Sequence, residues 1–431
     1  MLENLFKLSE NKTNVRTEIL AGLTTFMTMA YIIFVNPSIV SETGMPFNAV
    51  LMATCFSAAL STFLMAFLAN YPFALAPGMG LNAYFTYSVV LGMGISWQTA
   101  LGAVFISGVV FLILSLTKVR EMIINAIPNT LKLAISAGIG LFIAFIGLQN
   151  AGIVVDNPAT LVGLGNLLEP STLLAVIGLV ITAVLLARGV RGAILLGIVI
   201  TTIIGFFFGV TKAPQGFMAL PRFSEWAPIF GKLDIKGALS LGLFNIIFAF
   251  LFVDMFDTVG TLVGVSERGG FLVDNKLPRA NQALLSDSIG TIVGSFFGTP
   301  TVTTYVESAS GVAAGGRTGL TAATVAVLFL LALFFTPIIG IVPGAATAPA
   351  LIIVGAMMIT GITKINWEDF SDAIPAFIGI IAMPLTYSIA TGIALSFALY
   401  PFVKALAGKG KEVSWLVWVL SILFIIRFIW L

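Results

Sequence analysis

Three carboxylates stand in stretches otherwise too apolar to carry a charge: Asp254, Asp257 and Glu307. Asp254 and Asp257 lie in Phe252-Val-Asp-Met-Phe-Asp-Thr-Val-Gly-Thr261, spaced i, i+3 and therefore on one face of a helix. Glu307 ends Gly298-Thr-Pro-Thr-Val-Thr-Thr-Tyr-Val-Glu307, a segment interrupted by Pro300. A charged side chain at the centre of a bilayer costs at least about 2.5–3.5 kcal/mol, so such residues normally face a polar cavity and serve a ligand or a proton. The chain has no histidine, so proton transfer near neutral pH falls to carboxylates. Burial favours the neutral form of a carboxyl group, and a second carboxylate nearby favours it further. Each of these residues also has a plainer use, since a buried Asp can simply hydrogen-bond a neighbouring helix. That alternative is most open for Asp254 and Asp257.

A second interrupted segment, Ala74-Leu-Ala-Pro-Gly-Met-Gly-Leu-Asn-Ala83, places Asn82 after Pro77 much as Glu307 follows Pro300. An amide there can read a ligand edge or satisfy unwound backbone. Asp287, flanked by Ser286 and Ser288, suits a supporting hydrogen bond better than ligand contact. Thr299, Thr301, Thr303 and Thr304 are expected to rescue the backbone groups that Pro300 frees. The helix start at Glu307 is expected to offer unpaired N–H donors. Near the breaks stand Phe26, Tyr31, Tyr84, Phe85, Phe256 and Tyr305, rings able to line a flat slot for a heteroaromatic ligand. With 36 phenylalanines in the chain, some aromatic falls near any site, so this signal is weak by itself.

The elements that must position these groups are membrane helices. Of 431 residues, 58% are hydrophobic and 9% charged, against roughly 25% charged in a soluble chain. Net charge is +2, which gives no support for nucleic-acid binding. Cys55 is the only cysteine, so no internal disulfide can form. The first apolar run lacks a small-residue cleavage site and reads as a retained span. Apolar runs of about 20 residues fall near 19–40, 47–69, 74–92, 97–117, 131–150, 171–188 and 193–210. After a polar stretch at 211–241 come runs near 243–265, 281–298, 300–316, 319–336, 345–361, 371–388 and 391–407. A last run, Trp415–Leu431, is a further span or an interfacial helix.

The positive-inside rule orients this set. With the N-terminus cytoplasmic, most of the 21 basic residues fall inside, among them Lys7, Lys12, Arg16, Lys118, Arg120, Lys132, Arg188, Arg191, Arg268, Lys276 and Arg317. The outer face keeps those of 211–241, and Arg427 lies in the final run. Pro77 and Pro300 are about half a chain apart, and each interrupts the third span of a seven-span set. An odd number of spans per repeat inverts the second copy. Paired Gly/Pro-interrupted spans in inverted halves point to a transporter binding site near mid-membrane.

Four motifs then resemble a known family. Thr24-Thr-Phe-Met-Thr-Met-Ala-Tyr-Ile32, Ala76-Pro-Gly-Met-Gly-Leu-Asn-Ala-Tyr-Phe85, Phe256-Asp-Thr-Val-Gly-Thr261 and Gly298-Thr-Pro-Thr-Val-Thr-Thr-Tyr-Val-Glu-Ser308 look like signatures of the nucleobase–cation symporter-2 family. More narrowly they resemble its purine branch, the guanine/hypoxanthine/adenine permeases, and the resemblance runs along essentially the whole chain. It implies an all-α polytopic membrane protein with a 7+7 inverted-repeat transporter fold, core and gate domains, and two broken spans containing short strands. The implied boundaries are core at 1–130 and 242–340, gate at 131–241 and 341–411, and a C-terminal apolar helix at 412–431. The base would bind between the third, tenth and eighth spans.

Carried over by motif, Glu307, Asp257 and Asn82 bind substrate, with Asp254 one turn before Asp257 on the same face; Phe256, Tyr84 and Thr304, near the breaks, complete the expected substrate-binding set. Asp257, Asp254 and Glu307 serve proton coupling, and Asp287 and Thr261 support them. Related uracil carriers have a histidine where Thr261 stands, which shifts the proton burden here to carboxylates. The implied function is import of guanine or hypoxanthine, with adenine as a further candidate, by proton symport. The proton is the coupling ion, with Na⁺ as the alternative, and no metal or organic cofactor is implied. The setting is a multi-pass protein of a bacterial inner membrane, with a homodimer through the gate as an option the resemblance leaves open. The nearest alternative is a uracil or xanthine symporter; an anion transporter of the same fold fits three buried carboxylates poorly. An intramembrane aspartyl protease needs two Asp on facing helices, whereas Asp254 and Asp257 share one.

Overall fold

The computed structural model describes residues 2–117, 126–214, 216–240, 243–273 and 277–430. Lys118, Arg120 and Lys276, counted above among the cytoplasmic charges, lie outside the described residues, as do the side chains of Arg427 and Trp430. The first half contains α1 (Leu2–Phe6), α2 (Val15–Met29), α3 (Ile32–Val40), α4 (Phe47–Leu64), β1 (Leu75–Pro77), α5 (Met79–Ala83), α6 (Trp97–Ser115) and α7 (Asn129–Asn150). It continues through β2 (Val154–Asn157), β3 (Leu161–Leu164), α8 (Pro170–Ala187) and α9 (Ala193–Phe207), with short helices α10 (Phe223–Trp226) and α11 (Ile235–Ser240) in the polar stretch. The second half contains α12 (Phe244–Gly269), α13 (Ala280–Phe297), β4 (Val302–Thr304), α14 (Ser308–Ala313) and α15 (Gly319–Ala332). It ends with α16 (Thr336–Ile339), α17 (Gly344–Met358), α18 (Phe370–Leu385), α19 (Ile389–Leu406) and α20 (Trp415–Trp430).

Among the described residues, nine helical stretches are long and apolar enough to cross a membrane. The rest of the set is short or broken, which lipid tolerates only where the backbone is satisfied inside the protein. The first span is itself divided: Ala30 and Tyr31 separate α2 from α3, and Pro37 sits inside α3. π-helical segments follow α4 at Met65–Ala69 and α5 at Tyr84–Gly92.

Both prolines of the interrupted spans stand where expected. β1 and β4 pair antiparallel, Leu75 with Thr304, Ala76 with Thr303 and Pro77 with Val302. This two-stranded sheet is buried along its length. A second hairpin, β2 with β3, occupies the loop 151–170, which the sequence reading left without structure. Its turn is set by Asn157, whose Oδ1 accepts the Ala159 N–H at 2.9 Å.

The chain forms two compact units, one of Met1–Ser115 with Gly147–Ala350, the other of Leu116–Ile146 with Leu351–Leu431. In the first unit, Glu18 of α2 is wholly buried and caps α15. Its carboxylate accepts the N–H groups of Arg317 (2.9 Å), Thr318 and Thr321 (both 3.2 Å) and the Thr321 hydroxyl at 2.6 Å. A carboxylate at a helix N-terminus satisfies donors left open by the helix and matches its dipole.

In the second unit, Lys404 of α19 is buried with its ammonium 2.9 Å from Asp372 and 3.0 Å from Glu412. Such pairing is what makes a buried ammonium tolerable. Beyond it, α20 runs back along α19. Trp418 meets Phe402 at 5.3 Å, the Ser421 hydroxyl donates to the Ala398 carbonyl at 3.1 Å, and Phe424 meets Phe397 at 5.9 Å. Partner numbers fall on one helix as they rise on the other, so the two are antiparallel over this length. A helix of 16 residues packed this way along a spanning helix is expected to cross the bilayer with it. A reporter active only outside the cytoplasm is therefore expected to give opposite signals when fused after Gly408 and after the end of α20. The same signal at both sites would instead lay α20 along the surface.

Candidate functional site

The site is built where the two broken spans meet, wholly within the first compact unit. In a two-stranded antiparallel pair, alternate residues turn their N–H and C=O groups toward the partner strand or away from it. The Gly78 N–H bonds the Thr301 carbonyl, and the Tyr305 N–H bonds the Ala74 carbonyl, both at 2.9 Å. That phase turns the peptide groups of Leu75 and Val302 outward, where water cannot reach them. Each is met by one threonine hydroxyl. Thr62 of α4 accepts the Leu75 N–H at 2.9 Å and donates to the Leu75 carbonyl at 3.0 Å. Thr291 of α13 accepts the Val302 N–H at 3.2 Å and donates to the Val302 carbonyl at 3.0 Å. The two halves thus hold their strands with the same device.

This corrects the expectation that the threonines beside Pro300 rescue the backbone. The rescue comes from the neighbouring spans, because the side chains of a three-residue strand point away from its own peptide groups. Thr299 instead accepts the Asn36 amide N–H at 3.0 Å, an amide that also donates to Thr54. Thr303 hydrogen-bonds Asp257, and Thr304 donates weakly to Asp287 at 3.5 Å. The turn after Glu307 also departs from expectation. The N–H groups of Ser308, Ala309 and Ser310 bond the carbonyls of Tyr305, Val306 and Glu307, so tight turns use the donors that a longer helix would leave free.

Glu307 is half-buried, and its Oε1 accepts the Tyr31 hydroxyl at 2.5 Å. The break between α2 and α3 places Tyr31 there. Tyr305 faces Tyr31, ring centroids 6.5 Å apart, and its hydroxyl donates to the Pro77 carbonyl at 2.5 Å. That bond crosses the strand pair and satisfies the peptide of the first proline.

Asp254 and Asp257 share α12 but not their surroundings. Asp257 is half-buried and lies near Glu307, Tyr31 and Tyr305. Asp254 is 1% exposed; its Oδ2 lies 3.3 Å from the Thr291 hydroxyl, and among the described residues no donor meets Oδ1. Gly78 makes room for this arrangement, since a Cβ there would lie 2.9 Å from the Thr303 hydroxyl oxygen.

Asp287 is buried and accepts the Thr258 hydroxyl at 2.9 Å. It interacts electrostatically with Asp254. Thr258, rather than Thr261, supplies that hydroxyl; Thr261 is half-buried one turn beyond Asp257. Asn82 is wholly buried, and among the described residues no group meets either end of its amide. Burying such a group without a partner costs about 1–3 kcal/mol on mutational scales, which suits an amide kept for a ligand.

The aromatics do not gather as one slot. Phe26 packs edge-on against Phe329, Tyr84 against Phe250 and Phe256 against Phe252, while Phe85 is buried. Tyr31 and Tyr305 are the pair that reaches Glu307. Among the described residues, no group of three or more His, Cys, Asp or Glu side chains converges as a metal centre. Sequence reasoning missed Thr62, Thr291, Asn36 and the role of Tyr31 as a hydrogen-bond donor.

The family model Xan_ur_permease, Permease family, matches residues 16–395. The chain is 57% identical over 431 residues to the putative permease MJ0326 of Methanocaldococcus jannaschii, covering 100% of this chain and 98% of the relative. It is 50% identical to the guanine/hypoxanthine permease PbuO of Bacillus subtilis, covering 98% and 99%. Among solved structures, the transmembrane domain of the cyanobacterial bicarbonate transporter BicA superposes with a TM-score of 0.63 at 17% identity, covering 89% of this chain and 97% of that one. At that identity the likeness speaks for the fold, an inverted repeat of seven plus seven spans. The chain is a multi-pass membrane protein that belongs to this permease family, on its purine permease branch.

Proposed function

We propose that this permease imports guanine and hypoxanthine by proton symport, from a site made by Glu307, Asp257, Asn82 and the paired strands β1 and β4. The observation that carries the reading is Glu307: a half-buried carboxylate just after a buried strand, its Oε1 held by the Tyr31 hydroxyl. Guanine and hypoxanthine present a ring N–H along one edge, and guanine adds an exocyclic amine, so donors of the base meet an ionised acceptor. Asn82 offers both a donor and an acceptor to another edge. Thr304 stands on the strand between them, and Phe256 and Tyr84 supply apolar walls. The Bacillus relative's name supports guanine and hypoxanthine as substrates.

Asp254, buried beside Asp287 with no basic residue against it among the described residues, is the natural proton carrier. In the resulting cycle the loaded core domain moves against the gate domain, the N-terminus is cytoplasmic and the membrane is the cell's inner one. Uptake of radiolabelled hypoxanthine into cells is expected to fall on adding a protonophore and to be competed by unlabelled guanine. Competition by uracil or xanthine alone, with guanine inert, would move the substrate assignment to the other branch. Uptake that follows external Na⁺ and ignores the protonophore would replace the proton.

A further inference from the structure

Thr291 has one hydroxyl hydrogen and two oxygens that can take it. Its Oγ1 lies 3.0 Å from the Val302 carbonyl and 3.3 Å from Asp254 Oδ2, and it already accepts the Val302 N–H at 3.2 Å. A hydroxyl carries a single donor and two lone pairs, so it cannot serve both oxygens fully at once. An ionised carboxylate is the stronger acceptor. With Asp254 ionised, the hydrogen turns to Oδ2 and the Val302 carbonyl loses its partner. With Asp254 protonated, the carboxyl O–H donates to the remaining lone pair of Thr291, and the threonine hydrogen returns to Val302. All three groups are then satisfied together.

We propose that Thr291 is a positioning residue that passes the protonation state of Asp254 to strand β4. The strand carries Thr303 and Thr304 and leads directly into Tyr305 and Glu307, so a shift at Val302 reaches the ligand-facing groups. The proposal rests on the proton-symport reading above. The charged groups near Asp254 are few. Asp257 stands on its own helix and Asp287 on α13; α6, β4, α5 and α14, which also pack on α12, carry no charged residue. Among the described residues, these neighbours therefore bring no fixed positive charge to compete with the proton.

The repeat supplies its own control. Thr62 holds Leu75 by the same two bonds, and its hydroxyl bonds go to Leu75 rather than to a carboxylate. A clamp that only supports backbone makes the two threonines equivalent; a relay makes Thr291 special. The experiment uses the full-length protein in proteoliposomes, with hypoxanthine uptake compared between mildly acidic and mildly alkaline external medium.

Thr291→Val is expected to flatten the acid-to-alkaline uptake ratio toward one, and Thr291→Ser to retain the wild-type ratio. Thr62→Val is expected to lower uptake while keeping the wild-type ratio. Should Thr291→Val fail to reach the membrane, Thr291→Ala carries the same expectation. A wild-type ratio in the Thr291 variants that lack the hydroxyl, or an equal flattening in Thr62→Val, overturns the relay alone. Wild-type uptake that is indifferent to pH and to a protonophore overturns the symport reading on which it rests.

Discussion

Replacing Glu307 by Gln is expected to reduce kcat/KM for guanine and hypoxanthine by about 60-fold to 20,000-fold, with normal amounts of protein in the membrane. The isosteric amide keeps an oxygen for the Tyr31 hydroxyl, so the bond at Oε1 survives and the fold has little reason to change. What changes is the other position, where an –NH₂ donor replaces a carboxylate oxygen. A ring N–H arriving there meets a donor instead of an acceptor. Losing a hydrogen bond to a charged group costs about 1.5–3 kcal/mol, and leaving a buried donor unmet adds about 1–3 kcal/mol. At 1.4 kcal/mol per factor of ten, the two together give the stated range. Tyr31→Phe removes only the supporting bond and is expected to cost about tenfold or less, since one hydrogen bond is lost and the carboxylate stays. Uptake into proteoliposomes at matched protein content measures both, and a Glu307→Gln variant transporting either base at wild-type rate would remove Glu307 from the site.

The sequence announced the interrupted spans plainly, because proline and glycine in a long apolar run have few other uses. It also announced the carboxylates, because charge in a membrane span is rare and costly. Strands of three residues are another matter. β1 and β4 are too short to show an alternating pattern, and only the family resemblance pointed to them. The hydroxyl clamps were harder still. Thr54, Thr182 and Thr201 bond the carbonyl one turn back on their own helices, the ordinary use of threonine in lipid. Nothing local distinguishes Thr62 and Thr291 from them; what differs is the strand lying beside each in space.

The same holds for Tyr31, which reaches Glu307 only because its helix breaks at Ala30 and Tyr31. Pro37 inside α3 is the visible mark of an irregular first span, yet it does not say which residue the break exposes. Where sequence reasoning failed, then, it failed at contacts between distant segments. The half-helix donors failed for a different reason. α14 is only 6 residues long, and in so short an element tight turns consume the groups that a longer helix would present.

The two aspartates of α12, one turn apart, are expected to separate into different phenotypes. Asp257 is half-buried, bonded by Thr303 and near Glu307 and the paired tyrosines, so it faces the ligand side. Asp257→Asn is expected to raise KM for hypoxanthine by about tenfold to 100-fold, the cost of one hydrogen bond to a charged group or somewhat more. Asp254 is more deeply buried, beside Asp287 and hydrogen-bonded by Thr291. Asp254→Asn is expected to leave KM within about threefold, too small a change for a lost charged hydrogen bond, but to abolish accumulation against a gradient. The sign follows from the proton's place in the cycle. A carrier loaded by protonation takes up more as the medium is acidified and loses that gain as pH rises, and an amide that cannot titrate shows neither response. Thermal stability supplies the last discriminant. Asn matches Asp in size and brings no charge into the buried site, so Asp254→Asn is expected to unfold at about the wild-type temperature while failing to concentrate substrate. An Asp254→Asn protein that still concentrates hypoxanthine, or an Asp257→Asn protein with wild-type KM, would exchange or erase these roles.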